Sequence, residues 1–160
     1  MKTIVLRILI VALTFGALFF PARSPIRAAD MTCPTHTPVT IDVRPGSAVN
    51  PVNLGSQGIL PVAVLTTRDF DARQFAPDMA HLTDAATDMA LGCAGAMAER
   101  WVWDDVNGDR RPDLVFFFRI SELDFTRQTS AARFMAHGTY SGMTMHILGT
   151  DTVAIIVGGN

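Results

Sequence analysis

Polar and apolar residues alternate along much of this chain with a period of two. From Pro38 to Arg44, Val39, Ile41 and Val43 fall on one side, and Thr40, Asp42 and Arg44 on the other. That pattern predicts a half-buried strand. Pro45-Gly46 breaks it, and Asn50-Pro51 marks a turn. Residues 59–65 are almost continuously apolar, as in a strand covered on both faces. Pro61 inside that run predicts an edge position or a bulge, because proline cannot donate to a ladder. Trp101 and Trp103 share one face of another strand. Leu114, Phe116, Phe118 and Ile120 share a face further on, with Val115 and Phe117 opposite. Three more strand-like stretches, 134–137, 143–148 and 152–157, are punctuated by Gly138, Gly142 and Gly149. Residues 72–99, rich in Ala, Met and Asp, show no clear period, and a short helix over 84–91 is the expectation there. Many short strands with Gly and Pro turns predict an all-β fold, an antiparallel β-sandwich in a single domain. No internal repeat is present, which argues against a propeller or solenoid.

The first 29 residues follow a different logic. Lys2 and Arg7 precede a thirteen-residue apolar run, Ile8 to Phe20, then Pro21 and a small-residue site at Ala28-Ala29. This order is that of a signal peptide, and the run is short for a membrane span. A retained N-terminal anchor is the alternative. The expected organisation is a leader over 1–29 and an exported domain over 30–160, periplasmic or secreted. In an exported chain, the two cysteines, Cys33 and Cys93, predict one disulfide. It would close a loop of roughly 60 residues and contribute about 4 kcal/mol in the chain-entropy picture. Two buried free thiols are the alternative.

Removing the leader changes the charge. Four of the thirteen basic residues lie in it and all fifteen acids lie after it, so residues 30–160 carry a net charge of −6. No lysine follows Lys2. An acidic domain with scattered arginines makes nucleic acid or an anionic membrane an unsuitable partner.

The sharpest chemistry lies between the Trp-bearing and Phe-rich strands. Asp105, Asn107, Asp109 and Asp113 stand at alternate positions of one loop, and the Arg111 carbonyl is a further oxygen. Such spacing wraps oxygens around one hard cation, and Ca²⁺ takes six to eight of them. The loop is not an EF-hand: Arg110 stands where that motif has glycine, Phe116 where it has a bidentate Glu, and a strand follows. Asp and Asn also form turns with their own backbone, so a metal-free turn is the competing reading.

Other chemistries find less support. No Gly-x-Ser-x-Gly elbow and no His-Glu-x-x-His helix is present, although an extracytoplasmic metal-dependent hydrolase using Asp105–Asp113 is the alternative function. Met135, His137, Met143, Met145 and His146 lie close in sequence, and thioether with imidazole suits Cu(I). Alternation, however, puts Met143 and Met145 with Ile147 and places His146 on the other face, which assigns those methionines to a core. Cys33 and His36 are half of a metal site at most. Beside Phe-rich strands Trp101 and Trp103 are expected to be buried; exposed, they would form a stacking surface for carbohydrate.

Two stretches carry a resemblance. Ile41-Asp-Val-Arg-Pro-Gly-Ser47, Asn50-Pro-Val-Asn-Leu54, Gly58-Ile-Leu-Pro-Val-Ala-Val-Leu65 and Asp69-Phe-Asp71 resemble a family of exported bacterial and archaeal β-domains of unassigned function. That family reads roughly IDIKPGS, PN, INL, GxIPVAIL and DFD. Its later DVNGDGRPDLVLHF looks like Asp105 to Phe118, and residues 138–142 and 151–157 resemble its closing hairpin. The loop is also similar to those of dockerin and FG-GAP repeats, though one copy makes neither. The resemblance implies an extracytoplasmic β-domain without catalytic residues; the loop chemistry adds the expectation of a calcium-stabilised binding or structural module for a protein or glycan ligand. Arg110 replaces the family's glycine, which is expected to place calcium affinity at the weak end.

Overall fold

The computed structural model describes residues 35–88 and 95–157. The expected leader over 1–29 and the expected Cys33–Cys93 disulfide lie outside the described residues.

The period-two segments become strands: β1 (Thr37–Pro38), β2 (Ile41–Val43), β3 (Pro51–Asn53), β4 (Ile59–Val64), β5 (Phe75–Asp84), β6 (Ala96–Met97), β7 (Arg100–Asp104), β8 (Asp113–Arg119), β9 (Ala131–Tyr140), β10 (Met143–Thr152) and β11 (Ala154–Ile156). They form a five-stranded sheet in the order β1-β10-β9-β5-β6 and a four-stranded sheet in the order β2-β4-β8-β7. A two-stranded ribbon, β11-β3, accompanies them. Pairing is antiparallel except for β1 with β10 and β11 with β3. The fold is an all-β sandwich.

One apolar layer joins the two large sheets. Leu60, Val62 and Val64 of β4 and Leu114, Phe116 and Phe118 of β8 are buried from one side. Ala80 and Leu82 of β5, Phe134 and Ala136 of β9 and Ile147 of β10 are buried from the other. Contact is direct: the Phe134 ring lies 4.9 Å from Phe116 and 6.2 Å from Phe118, centroid to centroid. Burying side chains of this size supplies about 1.5–3 kcal/mol each. β10 and β2 approach so closely that a Cβ at Gly149 would stand 2.5 Å from Ile41 Cγ2.

Two expectations are corrected. β4 is an interior strand, flanked by β2 and β8, yet it contains Pro61. The Pro61 carbonyl accepts Arg44 N–H at 2.8 Å, so its ring nitrogen faces the same neighbour. There β2 has ended and Arg44 turns away with φ +58°, so no ladder bond is lost. Second, the stretch without a clear period holds a ten-residue strand, β5; of the short helix expected over 84–91, residue 84 ends that strand, 85–88 are non-helical, and 89–91 lie outside the described residues. A turn follows Asp84 at 85–86. The Asp124 carboxylate holds this turn through Thr83, Thr87 and the Asp84 N–H, while the Arg133 guanidinium donates to the carbonyls of Ala85 and Thr87.

Because Gly149 has no room for a side chain, Gly149→Ala should destabilise the domain by about 1–3 kcal/mol through overpacking. Urea unfolding should show a lower midpoint at unchanged slope. An unaltered midpoint would mean that β10 and β2 separate freely here.

Candidate functional site: the β7–β8 hairpin and the open sheet edge

The predicted loop is a hairpin connection. β7 and β8 pair in register from Arg100↔Phe117 to Asp104↔Asp113, and residues 105–112 form the tip. Asx-type bonds shape it. Asp105 Oδ1 accepts the N–H groups of Gly108 (2.8 Å) and Asp109 (3.1 Å), and Oδ2 accepts Arg110 N–H (2.8 Å). Asn107 Oδ1 accepts Asp109 N–H, and Asp109 Oδ1 accepts Arg111 N–H. Two residues turn left-handed, Gly108 at φ +77° and Arg110 at φ +66°. Arg110 thus adopts the conformation for which glycine is the usual residue, at a steric cost of about 1–2 kcal/mol.

Asp105, Asn107 and Asp109 are therefore gathered on an exposed loop, with their oxygens held by their own backbone. The Arg111 N–H holds the Asp109 carboxyl below its usual range, helped by the guanidinium of the same residue. Asp113 differs: it is fully buried at the base of the hairpin. Its Oδ1 accepts Thr66 N–H at 2.8 Å and Oδ2 accepts Val106 N–H at 3.2 Å. Burial pushes its carboxyl up, against the pull of these two amides. Arg111 closes the clasp from outside, donating to the carbonyls of Thr66 and Thr67, and Thr66 Oγ1 donates to Pro112 O at 2.6 Å. Among the described residues, no three acid, histidine or cysteine side chains are grouped so as to hold a metal ion as they stand. The loop's oxygens nonetheless keep lone pairs beyond those given to amides, since a carboxylate has about four acceptor sites.

The tryptophans overturn the expected burial. Register pairs Trp101 with Phe116 and Trp103 with Leu114, so both share the core-side face, as the alternation predicted. They are nevertheless 38% and 50% exposed. β7 is an edge strand, and the facing sheet ends in β6, only two residues long. The core-side face of β7 is thus left at the open side of the sandwich. The two indoles meet edge-to-face, with centroids 5.0 Å apart. Beside Trp101 opens a cleft of about 350 Å³, lined by Phe116, Met79 and the acids Asp78 and Glu99 among others. On the other face of the hairpin Arg100 lies over the Phe117 ring, 3.7 Å from its centroid. Sequence reasoning placed the tryptophans on the correct face and missed their exposure, which depends on how far the opposite sheet extends.

The remaining candidates separate. Met145 and Ile147 face the core side of β10 while His146 faces outward beside His137, its partner on β9; Met143, expected in the core, is 67% exposed at the start of the strand. No helix among the described residues is long and apolar enough to cross a membrane. The geometry defines a class, a β-sandwich with an Asx-wound hairpin tip and an exposed aromatic edge. Comparison with protein-family models, curated proteins and solved structures finds no match in any of the three.

Asp113→Ala would leave the amides of Thr66 and Val106 without their acceptor. The expected loss is about 2–4 kcal/mol, given about 1–3 kcal/mol for each buried group left unpaired. Thermal unfolding checks it; a loss below about 0.5 kcal/mol would mean that water replaces the carboxylate.

Proposed function

We propose that this chain is an extracytoplasmic binding module that recognises a glycan at the open edge of the four-stranded sheet, with a calcium-responsive hairpin tip beside it. The observation that carries the reading is the exposure of Trp101 and Trp103 on one strand. Large amphipathic rings at a surface favour binding because one side is apolar and the indole N–H still bonds polar groups. Sugar rings present apolar C–H faces bordered by hydroxyls, and the cleft beside Trp101 sets an indole next to carboxylates that accept from hydroxyls. The scaffold is rigid where the ligand would sit, since β7 is paired along its whole length with β8.

The hairpin tip supports this surface. Trp103 lies two residues before Asp105, so whatever stiffens the turn also fixes the end of β7. Three carboxylates and Asn107 converge on a short segment, and a cation relieves their mutual repulsion. In this reading Ca²⁺ takes oxygens of Asp105, Asn107, Asp109 and Asp113 with the Arg111 carbonyl, and water completes the shell. Export is the third part of the reading. It rests on the leader-like order of residues 1–29 and on the resemblance to exported β-domains, and it places the loop where calcium is plentiful.

Affinity electrophoresis through gels containing neutral or acidic polysaccharides tests the binding surface. At least one polysaccharide should retard the protein, and Trp103→Ala should cut the affinity tenfold or more, which is 1.4 kcal/mol. The folded state should be unaffected, because that ring is half exposed. Free migration in every gel, with unchanged indole emission, would remove the glycan reading.

Calcium is tested separately on chelator-treated protein. Binding to the native state alone adds about 2.7 kcal/mol at a hundredfold excess over Kd. The melting temperature should therefore rise with millimolar Ca²⁺ and hardly respond to Mg²⁺. Asp109→Ala should abolish the rise. Arg110→Gly, which relieves the left-handed strain, should move it to lower calcium concentration. Identical melting with and without several millimolar Ca²⁺ would leave these residues as turn formers only.

A further inference from the structure

The outer face of the five-stranded sheet carries a row of imidazoles that no single stretch of sequence contains. His137 on β9 and His146 on β10 are cross-strand partners, with ring centroids 4.7 Å apart. His36, just before β1, adjoins His146 through the parallel register Thr37↔Ile147, and those centroids are 5.9 Å apart. Beyond His137 the row continues to its β5 partner Met79, a thioether 44% exposed. All three histidines are partly exposed, so the row is open to solvent. His137 Nδ1 is buried, 3.3 Å from Asp78 Oδ2, without the alignment of a hydrogen bond.

We propose that His36, His146 and His137 form a transition-metal site on this face, taking a first-row ion of the copper–zinc class, with copper preferred. Spacing is the first argument. Two imidazoles bound to one tetrahedral ion, with metal–nitrogen bonds of about 2.0–2.1 Å, hold their centroids roughly 5 Å apart. The two observed separations bracket that value. The side chains are not grouped as ligands as they stand; all three rings are partly exposed, and binding requires them to turn toward a common point. The second argument is orientation. A carboxylate beside one ring nitrogen is the usual outer partner of a metal-bound histidine and leaves the other nitrogen for the ion. Asp78 stands in that place beside His137. The third is donor type. Imidazole suits copper and zinc, copper(II) binds most tightly among divalent first-row ions, and thioether adds affinity for copper(I). Oxygen-seeking calcium finds no reason to bind here.

This site is separate from the calcium loop; it shares Asp78 and Met79 with the cleft beside Trp101 but uses neither tryptophan. The test is titration of the purified chain with copper(II), with zinc(II) and calcium(II) as separate arms, followed by calorimetry and by NMR of the histidine ring protons. One copper per chain is expected, bound more tightly than zinc and unaffected by calcium. Substoichiometric copper should broaden the ring signals of His36, His137 and His146 together, while those of His81, which belongs to the neighbouring row, broaden less. His146→Ala should weaken copper at least tenfold, whereas Trp103→Ala and Asp109→Ala should leave it unchanged. Should His146→Ala fail to fold, the broadening pattern of the unaltered chain decides alone. Broadening strongest at His81 or confined to His36, or undiminished affinity in folded His146→Ala, would overturn the proposal.

Discussion

A carboxylate cannot remain charged inside a protein unless something answers its charge, and Asp113 is completely buried. Its answer comes from two backbone amides that belong to different parts of the chain, Thr66 beyond β4 and Val106 in the hairpin tip. One side chain therefore fixes the base of the tip to the end of the neighbouring strand. Arg111 and Thr66 complete the clasp by bonding carbonyls across the same gap. With the base fixed, the exposed tip can be wound by Asp105, Asn107 and Asp109 alone. The left-handed turn at Arg110 is held by the bond from its N–H to Asp105 despite the side chain's steric objection.

The second constraint is unequal sheet width. Around the centre of the sandwich, Phe116, Phe118 and Phe134 meet from opposite sides and water is excluded. Toward β7 the opposing sheet stops at β6, and residues chosen by the same alternation emerge into solvent. Trp101 and Trp103 are the result. The same pattern that buries Leu114 and Phe116 presents their cross-strand partners at an edge, and an exposed edge is where a partner can be recognised.

Strand order also decides what the solvent-facing side of the five-stranded sheet collects. His137 and His146 lie on two paired strands, and His36 just before a third that is joined in parallel to its neighbour. Partial burial holds the His146 imidazole below the usual histidine value, reinforced by the two neighbouring rings.

The sequence alone determined the class of fold and the faces of the strands. Alternation is a local property, and a strand's side chains must point to opposite sides whatever lies around it. It likewise determined a tight loop of Asp, Asn and Gly between two apolar strands, while the pairing of β7 with β8 that makes it a hairpin is seen in the fold. It failed where the outcome depended on neighbours distant in the chain. Pro61 sits in an interior strand because β2 ends beside it. The ten residues of β5 lack a clear period because a register shift between Pro77 and Met79 interrupts their alternation. Spacing put Asp113 in the loop's set of oxygens, and only the packing of Thr66 against the hairpin shows that it is also a buried clasp. Exposure of the tryptophans and assembly of the histidine row were decided by sheet width and strand order, which are set by contacts between segments many residues apart.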